Sequence, residues 1–147
     1  MGFVEFIIPG RIGGKGRPRG VMRPGGRRFL TPDKTLSQEA MVRWYANLAM
    51  QGRPLFTGPV SLAVNVQHTY PKSWSEKRKK TTKWVTGRPD LDNVLKLIAD
   101  ALNKIVWDDD AQVASVVMTR QYTAGSAESV HVCVKSLEEQ NEPSGAF

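Results

Sequence analysis

Asp90 and Asp92 stand two residues apart at the start of a stretch that reads as an amphipathic helix, and Asp108, Asp109 and Asp110 follow just past its other end. Crowded carboxylates repel and raise one another's pKa, so such a cluster calls for a cation. Magnesium, or manganese in its place, suits oxygen donors of this kind, keeping some waters and drawing its remaining ligands from phosphate. A strand entering beside the helix N-terminus could bring one of the triplet back to Asp90 and Asp92. The plainer reading is helix capping, because uncapped amides and the helix dipole favour negative charge there. Asp92 would then pair with Lys96 one turn on, and Asp100 with Lys104 or with the site.

Other chemistries fit less well. An EF-hand loop also begins with alternating acids, but counting from Asp90 its fifth position would be Val94, its sixth Leu95 instead of glycine, and its twelfth Ala101 instead of glutamate. His68 and His131, the two histidines, lie on expected strands without a context that would activate a serine or cysteine, and read as structural. The single cysteine, Cys133, forbids internal disulfides and, with two histidines, cannot complete the usual zinc sets.

A chain of 147 residues with 40% hydrophobic content and four tryptophans fits one globular domain, over residues 1–137, with an acidic, disordered tail at 138–147. The net charge of +7 predicts attraction to phosphate polyanions or anionic membrane surfaces. No apolar run approaches the roughly 20 residues needed to span a bilayer. The N-terminus lacks the pattern of a signal peptide, so a cytoplasmic address is expected.

Phe3 to Ile8 reads as a strand ended by Pro9-Gly10. Residues 10–28 read as a flexible basic arm, with a short strand at Phe29-Leu30. The Thr35 to Gln38 spacing resembles a capping box for a helix running to about Met50, with Leu36, Ala40, Trp44, Tyr45 and Leu48 on its buried face. Val60, Leu62, Val64 and Val66 alternate through a strand that reaches Tyr70. A second basic segment, 71–89, leads into the acidic helix, which buries Leu91, Val94, Leu95, Ile98, Ala101, Leu102 and Ile105 and is closed by Trp107. Residues 112–122 and 128–136 read as a hairpin over Ala124-Gly125-Ser126. The sum is an α+β single domain with a mixed, mainly antiparallel sheet packed by two helices.

The run Asp90-Leu91-Asp92-Asn93, Lys96, Asp100-Ala101-Leu102-Asn103 and Asp109-Asp110-Ala111-Gln112-Val113 resembles the signature of the RusA family of Holliday junction resolvases, commonly encoded by phages and prophages. The resemblance is strong over residues 87–113 and looser over the Lys15 to Arg19 arm, the helix after Thr31 and the final hairpin. It implies a magnesium-dependent, homodimeric endonuclease that resolves DNA four-way junctions by paired cuts, in recombination and repair. By the same resemblance Asp90, Asp92 and Asp110 match the metal-binding aspartates, Asp109 the neighbouring acid, and Lys96 the catalytic lysine. Asp108 falls outside the pattern and leaves open which carboxylate of the triplet points at the metal.

The chemistry agrees with the resemblance. Phosphodiester cleavage needs an activated water and a neutralised phosphate, which metal ions supply, and Lys96 on the same helix face as Asp92 could stabilise the developing charge. The two basic segments flank this site, so Lys15, Arg17, Arg19, Arg27 and Arg28, and Lys77, Arg78, Lys79 and Lys80, are expected to contact DNA phosphates. Trp74 or Trp84 could stack on unpaired bases, though packing is the plainer role. A less selective DNA nuclease, or a DNA-binding accessory protein with a structural metal, are the alternatives.

Overall fold

The structure, a computed structural model, describes residues 2–16, 19–30, 33–125 and 127–138, without the side chains of Arg19 and Phe29. The expected acidic tail, apart from Glu138, lies outside the described residues, as do Arg17 and Ser126.

Strand β1 (Phe3–Pro9), β4 (Val60–Thr69), β5 (Val113–Thr123) and β6 (Ser129–Ser136) form one sheet in the order β1-β6-β4-β5. β6 runs antiparallel to β1 and to β4, whereas β5 runs parallel to β4. The sheet is therefore mixed and mostly antiparallel, as expected. β4 keeps the alternation read in its sequence, with Val60, Leu62, Val64 and Val66 buried. Helices α1 (Asp33–Met50) and α3 (Leu91–Leu102) lie together against the sheet, and a short third helix, α2 (Glu76–Thr81), occupies the second basic segment. Val42 and Ala46 of α1, Leu97 and Ile98 of α3, Val132 and Val134 of β6 and Trp107 share one core.

Three expectations are corrected. β5 and β6 are not a hairpin: β6 inserts between β1 and β4, and β5 takes the far edge of β4. A short connection permits a hairpin without requiring one, and in the middle of the sheet β6 buries Val130, Val132 and Val134 fully. In the basic arm, β2 (Arg19–Arg23) and β3 (Gly26–Leu30) pair antiparallel, pairing Arg23 with Gly26 around Pro24-Gly25. Proline followed by a glycine at φ +99° is the residue pair a type II turn needs. Residues 19–30 thus form a hairpin, which the arginines hide by masking the alternation.

The third correction is the face of α1. Leu36, Trp44 and Leu48 are 50, 58 and 54% exposed, whereas Thr35, Glu39, Val42, Ala46 and Met50 are buried. The helix has apolar residues on both sides. The side carrying the small Val42 and Ala46 faces inward, with Tyr45 partly buried beside it. Helix backbones approach closest where side chains are small, and the bulky stripe is left outside. Glu39 remains inside with Arg43 at 3.6 Å. On α3, Leu91 is 36% exposed while the other expected positions are buried or packed against the core.

Candidate active site

α3 carries the acidic motif along one side. Its N-cap position is Asp90, with an extended backbone whose carbonyl accepts from Asn93 and Val94, but the Asp90 side chain makes no capping bond. Asp90 and Asp92 are both exposed, and among the described residues no cation lies within ion-pairing reach of Asp92. Capping and the Asp92–Lys96 pair therefore do not account for these acids. Lys96 is exposed and likewise unpaired among the described residues.

The turn that puts Asp90 at this position is held from β5. Arg120 is buried and donates through Nη1 to the Pro89 carbonyl at 2.5 Å and to the Gly87 carbonyl at 3.4 Å. The turn includes a cis Arg88–Pro89 peptide and Gly87 at φ +101°. The Nε of Arg120 is buried without a partner among the described residues. A burial this costly for a residue whose contacts are two carbonyls beside Asp90 marks Arg120 as a positioning residue. Its sequence position, inside a strand and outside the motif, carried no signal.

At the other end of α3 the aspartate triplet separates into three roles. Asp108 is exposed and pairs with Lys104, which replaces the Asp100–Lys104 pairing expected from spacing. Asp109 caps the 3-10 turn Asp110–Gln112, accepting from the Ala111 amide at 3.2 Å. Gln112 holds the turn in place: its Oε1 accepts from the Asp108 and Asp109 amides at 2.9 and 3.1 Å, and its Nε2 donates to the Phe56 and Gly58 carbonyls. Asp110, half-buried, is left facing Asp100. Its carboxyl is held above the usual range, first by a hydrogen bond with Asp109, then by burial and by the charges of Asp109 and Asp100. The Asp109 carboxyl is held below its usual range, first by the Ala111 amide.

Among the described residues no three carboxylate, histidine or cysteine side chains converge closely enough to form a cation cage. Asp110 meets Asp100, while Asp90 and Asp92 stand at the opposite end of the same helix. Magnesium needs no such cage, since it is usually held by one or two carboxylates with waters and substrate phosphate completing the shell. An oxygen-only donor set in which like charges already raise a carboxyl pKa fits that ion.

A family model described as Endodeoxyribonuclease RusA matches residues 9–135. This chain belongs to the RusA endodeoxyribonuclease family. It is also 35% identical over 131 residues to the uncharacterized protein YqaN of Bacillus subtilis (strain 168), a match covering 84% of this chain and 90% of that protein. Membership of the RusA family makes DNA the substrate and endonucleolytic cutting the activity. No helix among the described residues is long and apolar enough to cross a membrane.

In this RusA family member the expected DNA-contact residues that are described fall on three elements and one loop. Arg27 and Arg28 are exposed on β3, while Lys77, Arg78 and Lys80 are exposed on α2. Lys79 bonds Glu76 at 3.1 Å, Arg19 contributes its backbone to β2, and Lys15 turns inward onto Asp100. Trp74 is packed against Tyr70 and Tyr122 with the Arg78 guanidinium 3.9 Å above its ring. Trp84, 55% exposed, has the Lys83 ammonium over it. His68, next to Glu128 at 3.3 Å, has its pKa lowered by burial and serves the fold. Burial likewise pushes the Cys133 thiol up, away from reactivity.

Proposed function

We propose that this protein is a magnesium-dependent, structure-selective endonuclease that resolves DNA four-way junctions by paired cuts as a homodimer. The observation that carries the reading is the division of labour along α3. Asp90, whose side chain makes no capping bond, and Asp92, without an ion-pair partner among the described residues, stand at one end, and Asp110 is held against Asp100 at the other. Asp90 and Asp92 at one end, and Asp110 with Asp109 beside it at the other, are the residues that would hold metal, as one ion at each end. A bound magnesium ion would supply an activated water and neutralise charge on the scissile phosphate.

The chain's own groups do the rest. Arg120 fixes the turn from which Asp90 projects, and Gln112 fixes the one from which Asp110 projects. Lys96, a cation on the same helix with no ion-pair partner among the described residues, would counter charge developing on phosphate. The arginines of the β2–β3 hairpin and the cations of α2 bind backbone phosphates without reading sequence. Two symmetric cuts call for two copies, which a closed two-fold dimer supplies at least cost.

The test mixes the protein with a synthetic mobile four-way junction or a matched linear duplex, in magnesium or chelator, and resolves the products on a denaturing gel. Paired, magnesium-dependent nicks in the junction alone are expected. Equal cutting of both substrates would replace the junction assignment with a general nuclease, and binding without cutting in magnesium or manganese would replace it with an accessory role.

A further inference from the structure

Lys15 lies in the basic arm, yet the loop that carries it is fastened between α1 and α3. Thr35 and Gln38, spaced as a capping box, cap nothing: Thr35 Oγ1 accepts from the Gly16 amide at 2.8 Å and Gln38 Oε1 from the Gly13 amide. The Lys15 amide donates to the Asn93 carbonyl of α3 at 3.2 Å. Gly14 lies so close to α3 that a Cβ there would come within 2.9 Å of Pro89 Cβ and 3.0 Å of Asn93 Cβ. With its backbone held in this way, Lys15 extends along α3 and its ammonium bonds Asp100 Oδ2. The hydrogen bond with Asp100 raises the Lys15 pKa most, against burial, and the charges of Asp100, Glu39 and Asp110 add to it.

An ammonium and a divalent ion compete for the same oxygens, and Asp100 and Asp110 crowd each other whenever neither is bound. We propose that Lys15 is the built-in counter-ion of this end of the acidic site. It pairs with Asp100, beside Asp110, in the metal-free protein and gives Asp100 up as a divalent ion loads, so that loading releases the 13–16 loop at the root of the arginine hairpin. The inference rests on the metal-dependent reading above and assigns Lys15 a positioning role in place of a generic phosphate contact. A merely structural ion pair would stabilise the loop, but removing it would not tighten metal binding. Reciprocal linkage requires that whatever the ion does to Lys15, Lys15 does to the ion.

The test is a calorimetric Mn2+ titration of the full chain at constant ionic strength, for wild type, Lys15→Met and Lys15→Arg. Amide exchange across 13–16 is followed with and without Mn2+. Lys15→Met is expected to bind Mn2+ roughly three- to ten-fold more tightly, the low end of site-to-site coupling for a pair this exposed. Lys15→Arg should behave as wild type, and Mn2+ should speed exchange across 13–16 in the wild type. Equal or weaker Mn2+ binding by a folded Lys15→Met overturns the proposal. If that variant fails to fold, the wild-type exchange decides alone: acceleration by Mn2+ supports the proposal and no change overturns it. A wild type that binds no Mn2+ removes both this inference and the metal-dependent function. One that binds Mn2+ and cuts junctions, but is matched by Lys15→Met, removes this inference only.

Discussion

Asp92 and Asp110 differ in their surroundings, and the difference sets what each substitution should do. Asp92 is exposed and has no ion-pair partner among the described residues, so Asp92→Asn should leave stability within about 0.5 kcal/mol of wild type. Junction cutting should fall by roughly two orders of magnitude or more, the scale of losing a metal's charge stabilisation, with junction affinity retained. Gel shift and cleavage rates measured side by side check this, and cutting at the wild-type rate would remove Asp92 from the metal site. Asp110 makes a pH prediction. Its folded pKa is raised, so its contribution to stability is full below its unfolded pKa and is lost as pH rises through the folded value. In chelator, Asp110→Asn should therefore melt higher than wild type at neutral pH. The gap should close below about pH 4, because an amide, like the protonated acid, can donate to Asp109. Melting curves across that range decide it. At this scale the acids were legible from their crowding alone. Arg120 was not, because its role consists of contacts with carbonyls remote in sequence.

At the scale of elements, the arginine hairpin should act through phosphate charge. Replacing Arg27 and Arg28 with alanine should weaken junction binding and lower the slope of log affinity against log salt by roughly 2, near one unit per lost phosphate contact. An unchanged slope would return β3 to an ordinary solvated surface. Arg120→Met should cost about 1–3 kcal/mol by leaving the Pro89 and Gly87 carbonyls unpaired, and should weaken Mn2+ binding by displacing Asp90. Arg120→Lys should restore part of both, read by melting and by metal titration. Helix α3 and strand β4 could be drawn from sequence because each shows a single buried side at the right period. α1 could not, because it has apolar residues on two sides and only contact with β1 and α3 chooses between them.

For the whole molecule, the paired cuts proposed above would need paired sites, and among the described residues one chain supplies a single acidic helix. The protein should sediment at twice its chain mass at micromolar concentration, and a monomer that still cuts both strands symmetrically would argue against the dimer. Composition and local pattern were enough to determine the fold class, the basic character of the chain, the acidic motif and the family it resembles, because charge, turn residues and hydrophobic period act over a few residues. Tertiary structure alone decided that β6 separates β1 from β4, that the arm is a hairpin rooted on α3, that Asp110 faces Asp100, and that Lys15 points inward. Each of these depends on which of several locally acceptable surfaces buries the most apolar area while leaving the fewest polar groups unpaired, and that choice is made by residues far apart in the chain.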